Sequence, residues 1–300
     1  MTQPLPPFPG AAPQIPGLDP AQPGPAWPGG GDYHAPAAVP QPEVSQPPQG
    51  YVAAQTAEIA APVAEVPALL TLEHVSAGYG PFRALFDVSF AVPAGTAVAI
   101  LGPNGAGKTT IARVASGLVK PTSGAVYLGH EDITGMAAHE LRRLGIAHAP
   151  EGRSVFASLT VEENLLLEFR SSLGKTGAPA ALDRAFYWFP RLKERRTQVA
   201  GTLSGGEQRM LSLARVLADL PRLLIVDELS LGLAPIIVDE VFETLETIRA
   251  QGCTLVVIEQ HVHKALELAD RVVLLQKGRV VYDGLTADLG DLVEQLIPGL

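Results

Sequence analysis

Residues 102–109 read Gly-Pro-Asn-Gly-Ala-Gly-Lys-Thr, the spacing G-x-x-x-x-G-K-[ST]. Glycines at 102, 105 and 107 let the backbone curl so that successive N–H groups point inward. Those donors, with the positive end of a following helix, suit a polyphosphate. Lys108 adds a point charge between the β- and γ-phosphates, and the Thr109 hydroxyl is a ligand for Mg²⁺. The phosphate-contacting run is therefore Gly102, Pro103, Asn104, Gly105, Ala106, Gly107, Lys108, Thr109 and Thr110. Residues 223–228 read Leu-Leu-Ile-Val-Asp-Glu, an apolar strand ending in two carboxylates. Asp227 is placed to hold Mg²⁺ through water, and Glu228 to orient and deprotonate an attacking water. A third run, Leu203-Ser204-Gly205-Gly206-Glu207-Gln208-Arg209, reads as a helix start. Ser204 is its capping hydroxyl, and Gly205 and Gly206 are bare backbone donors.

These runs need a scaffold that holds them at the ends of strands. Thr96–Leu101 is a buried apolar strand feeding the glycine-rich loop, with a helical pattern from Lys108 to Leu118 behind it. Leu223–Val226 and Thr254–Ile258 are two more buried strands, and helical patterns lie at Glu207–Ala218, Pro235–Ala250 and His263–Ala269. Strands alternating with helices indicate an α/β chain with a mostly parallel sheet covered on both faces. Leu70–Val75 and Leu85–Val92 alternate as strands of a small N-terminal antiparallel sheet. Arg271–Gln276 and Arg279–Tyr282 flank Lys277-Gly278 as a hairpin. Between Val161 and Val199 the pattern is helical without a clear strand, as expected of an inserted helical subdomain at about 152–203.

Composition changes near residue 67. Residues 1–67 hold 17 of the 27 prolines and no Lys or Arg, and we read them as a disordered Pro/Ala/Gly-rich tail that cannot bury enough apolar surface to order itself. Residues 68–300 form the folded domain. The net charge of −9 argues against a nucleic-acid partner. A single cysteine, Cys253, rules out an internal disulfide and fits a reducing compartment. No apolar stretch approaches the roughly 18 residues of a spanning helix. The N-terminus lacks the basic residue and apolar run of a secretory signal. The seven histidines and the cysteine form no ligand cluster.

The order phosphate loop, Leu203–Gln208, acidic strand resembles the ABC (ATP-binding cassette) ATPases, and the resemblance covers residues 68 to 300. It implies a P-loop NTPase core, ATP and Mg²⁺ as ligands, and Tyr79 as the aromatic that stacks on adenine. It also implies two cassettes facing head to tail. ATP then lies between the phosphate loop of one and Ser204, Gly205, Gly206 and Glu207 of the other. Residues 149–156, 159–165, 189–196, 230–237 and 257–260 are similar to the ATPase subunits of branched-chain amino acid importers. Importers of urea and short-chain amides keep much of this pattern, but many have Gln where Glu151 stands.

The resemblance carries Mg²⁺ contact to Glu151 and the switch position to Gln260, which hydrogen-bonds a phosphate but cannot carry a proton. Leu229 replaces the usual Pro and is expected to loosen its turn. Val155-Phe156 looks like an exposed apolar knob toward a permease. The implied partners are integral-membrane permeases, a second cassette and, indirectly, a solute-binding protein. The implied location is the cytoplasmic face of the cell membrane. A non-transport ATP switch protein and a lipid-trafficking motor share the same catalytic motifs.

Overall fold

The computed structural model describes residues 66–150, 152, 155–217, 220–259 and 261–289. The tail, Glu151 and Gln260 lie outside the described residues, apart from Val66 and Pro67 at the tail's end. In chain order the elements are β1 (Ala68–Tyr79), β2 (Phe82–Pro93), β3 (Ala97–Leu101), α1 (Lys108–Ala115), β4 (Ser123–Leu128), β5 (Glu131–Asp132) and α2 (Ala138–Arg143). There follow β6 (Ile146–Ala149), α3 (Val161–Trp188), α4 (Pro190–Glu194), α5 (Gly205–Val216), β7 (Leu223–Asp227) and α6 (Pro235–Ala250). The described chain closes with β8 (Thr254–Ile258), α7 (Val262–Leu268), β9 (Arg271–Gln276) and β10 (Arg279–Leu285).

Two sheets result. The first, ordered β2-β1-β4-β5, is antiparallel throughout. The second, ordered β10-β9-β3-β8-β7-β6, is parallel except for its edge hairpin β9–β10. Its central strands β3, β7 and β8 are buried at every residue, because apolar side chains alternate to both faces. Leu224 and Val226 point into a core shared with α3, α5 and α6. Leu223 and Ile225 point into a second core shared with β1, β2 and α1. The phosphate loop leaves β3 and the acidic pair ends β7, with β8 between them.

Local chemistry sets the element ends. Helix α1 stops at Ala115, earlier than the expected Leu118, because Gly117 takes a left-handed φ of 72° and the Leu118 N–H turns back to the Arg113 carbonyl at 2.8 Å. The helical insertion is present, but α3 is broken at Gly174, whose φ is 71°. Lys277 and Gly278 both adopt positive φ, as the expected two-residue hairpin turn requires. That turn docks on the phosphate loop: the Gly278 N–H donates to the Ala106 carbonyl at 2.9 Å. Leu229 is buried in the larger core, so packing holds the turn that its replacement of Pro was expected to loosen. Of the expected apolar knob, Phe156 is exposed beneath the Arg215 guanidinium, while Val155 packs against the core.

Candidate active site

The phosphate loop is shaped as its residue types require. Gly102 has a φ of 149°, and a Cβ there would lie 2.2 Å from the Leu275 carbonyl oxygen. Only glycine fits that approach. Lys108 opens α1 and turns its Nζ back over the loop, donating to the carbonyls of Gly102 at 2.8 Å and Pro103 at 3.2 Å. Burial lowers the Lys108 pKa, and the charges of Glu228 and Asp227 work against that. The ammonium thus stands within the field of the acidic strand end.

Thr109, next on α1, brings its hydroxyl to 3.3 Å from Asp227 Oδ1. A hydroxyl and a carboxylate converging this way are hard oxygen donors suited to Mg²⁺. Glu228 follows in a left-handed conformation at φ 49°, rare for a residue with a side chain. Its N–H donates to the Ile258 carbonyl at 2.9 Å. Two residues further on, Ser230 is held by the buried Glu259, which accepts from the Ser230 N–H at 3.1 Å and from its hydroxyl.

A cavity of about 410 Å³ opens between Tyr79, Arg113, His148, Pro150 and Asp227. It places the expected base-stacking aromatic and the expected metal carboxylate on one space. Arg113 and His148 were not among the expected site residues. Arg113 donates from Nη1 to the Tyr79 hydroxyl at 3.1 Å and lies 5.8 Å from the ring centre, which fixes the aromatic. Its signal was available: Arg113 lies four residues after Thr109, one helical turn along the same face. His148 comes from β6, and no sequence pattern marks it.

Ser204, Gly205, Gly206 and Glu207 open α5, on elements that do not line this cavity. Ser204 and Glu207 form a reciprocal cap, Ser204 N–H to the carboxylate at 2.9 Å and Glu207 N–H to the hydroxyl at 3.3 Å. Burial alone would raise the Glu207 carboxyl. The Ser204 hydrogen bonds and the Arg195 and Arg191 charges outweigh it and hold the pKa below the usual value.

Residues 85–230 match the family model described as ABC transporter. The high-affinity branched-chain amino acid transport ATP-binding protein BraG of Pseudomonas aeruginosa is 44% identical over 213 residues, covering 71% of this chain and 91% of that protein. The chain belongs to the ABC transporter ATP-binding family. A probable branched-chain amino acid transport ATP-binding protein of Archaeoglobus fulgidus is 36% identical to this cassette over 222 residues, covering 74% and 94% of the two chains. Among solved structures, an ATP-binding cassette of an ABC transporter in its ADP conformation superposes with a TM-score of 0.68 at 26% identity, covering 77% of this cassette and 97% of that one. As a member of this family the cassette is an ATPase that works in transport.

Proposed function

We propose that this cassette is the ATP-hydrolysing motor of an importer for branched-chain amino acids. The approach of Thr109 Oγ1 to Asp227 Oδ1, with Glu228 the next residue, supports the hydrolytic assignment most directly. The naming of the two curated relatives supports the solute class. The phosphate loop from Gly102 to Thr110 binds the triphosphate, and Tyr79, braced by Arg113, stacks on the base. Thr109 and Asp227 hold Mg²⁺, with Glu151 as a further contact argued from the sequence. Bound Mg²⁺ supplies neutralisation of the charge that builds on the phosphate oxygens. Glu228 takes the proton of the attacking water, and Gln260 orients the γ-phosphate through its amide.

The signature residues Ser204–Glu207 stand apart from the cavity. A second cassette facing this one head to tail would bring its own Ser204–Glu207 equivalents to complete the site. Permease subunits would bind near Phe156, and the assembly would sit on the cytoplasmic face of the membrane. The folded domain is residues 68–300 and the tail, 1–67, is an extension outside the motor.

Steady-state hydrolysis by Glu228→Gln tests the chemistry. Turnover nearly abolished with ATP binding retained is the expected result, and near-normal turnover would remove Glu228 as the base. Uptake of labelled leucine, isoleucine and valine by cells lacking the chain tests the solute. Unimpaired uptake of all three would leave an ATPase motor of another importer, with urea and amides next in line.

A further inference from the structure

We propose that Arg209 is a positioning residue that couples the signature end of α5 to the backbone of Glu228, so that engagement of this chain's signature sets its own hydrolytic carboxylate. The proposal rests on the head-to-tail reading above. Arg209 lies on α5 one turn after the Ser204 cap and is only 8% exposed. A guanidinium is costly to bury unless its donors are used. Here Nη1 donates to the Glu228 carbonyl at 3.3 Å and Nη2 to the Leu231 carbonyl at 3.4 Å. One rigid fork thus grips both ends of the four-residue turn that carries the base.

The rest of that turn is held from the opposite side. Ile258 accepts from the Glu228 N–H, and Glu259 holds Ser230 by its N–H and hydroxyl. Both come from the end of β8, inside the sheet. The grip of Arg209 comes instead from α5, which follows the helical insertion. The left-handed φ of Glu228 needs support from its surroundings. A shift of α5 along or about its axis changes that support through Arg209. The start of α5 has little slack against α6, since a Cβ on Gly206 would lie 2.8 Å from Ile237 Cγ2. A load on Ser204–Glu207 therefore passes into the turn bearing Glu228.

The test is ATP hydrolysis by the assembled complex recovered with the full-length chain, comparing wild type with R209K and R209A. Equilibrium binding of a fluorescent ATP analogue and thermal unfolding are measured alongside. Lysine keeps the buried charge but cannot span two carbonyls, so R209K separates coupling from misfolding. Coupling requires kcat to fall about tenfold or more in both variants with analogue affinity within about twofold of wild type. It also requires the Hill coefficient for ATP to fall toward one, which a merely structural residue would not produce. Unchanged kcat and Hill coefficient in R209K would overturn the coupling and leave Glu228 as the base. A parallel fall of affinity, melting temperature and kcat would make Arg209 structural only and overturn it as well. Wild-type turnover without any cooperativity in ATP would remove the head-to-tail reading itself, and the coupling with it.

Discussion

His148 has Nδ1 at 3.0 Å from the Ser116 hydroxyl, while its Nε2 is buried without a hydrogen-bond partner among the described residues. Burial, and then the charge of Arg113, push its pKa down to about 4. Unfolded, the ring titrates near its ordinary 6.5, so between these values the unfolded chain binds more protons than the folded one. Stability from this residue is therefore complete above pH 6.5 and is lost as pH falls toward 4, a loss on the order of 3 kcal/mol. Urea unfolding at pH 7 and pH 5 should show a smaller loss for H148N than for wild type; equal losses would remove His148 from the account. Cys253 gives a second expectation. Burial raises its thiol to about 12, which leaves almost no thiolate at neutral pH. The native protein should resist a thiol reagent at pH 8 and react fully once unfolded. Stoichiometric labelling of the native state would show that the site opens far more readily than its packing implies.

At the scale of elements, the phosphate loop depends on one close approach. Substituting alanine at Gly102 sets a Cβ against the Leu275 carbonyl of β9 and places it in an unfavourable φ. We expect G102A to lose about 2 kcal/mol or more by denaturant unfolding, together with ATP binding; wild-type stability would mean that the loop can move off β9. This loop and its supporting strands were legible in the sequence. Strands β3, β7 and β8 are short apolar runs buried on both faces, and Gly and Lys-Thr mark where β3 gives way to α1. What was not legible has physical causes. Strand β6 is only four residues long and contains His148, so it carries neither length nor alternation. Strand β4 begins Ser123-Gly124, and its pairing with β1 is a long-range contact that no local pattern encodes. The break in α3 at Gly174 did leave a signal, since Gly174, Gly177 and Pro179 interrupt the apolar spacing, but a reading of 161–199 as broadly helical passes over it. Arg209 read as part of a helix start; that it reaches the Glu228 carbonyl depends on how α5 packs against the end of β7.

For the whole molecule, the site draws on parts folded by different cores. Tyr79 comes from the antiparallel sheet, Thr109 from α1, and Asp227 from the end of a strand that feeds both cores. A ligand held by all three binds only when both cores are formed, so it stabilises the native chain by mass action. At a free ATP concentration about 100 times Kd the gain is about 2.7 kcal/mol. For a domain of this size that raises Tm by roughly 5–10 °C. On the roles proposed above, E228Q should show the full rise in the presence of Mg²⁺, because it lacks only the proposed proton acceptor. K108A should show little, because the charge facing the phosphates is gone. On the proposal that Thr109 and Asp227 would hold Mg²⁺, chelating the ion should shrink the rise in wild type. Differential scanning calorimetry with and without ATP measures all of these. An undiminished rise in K108A would mean that nucleotide binds this cassette somewhere other than the loop from Gly102 to Thr110.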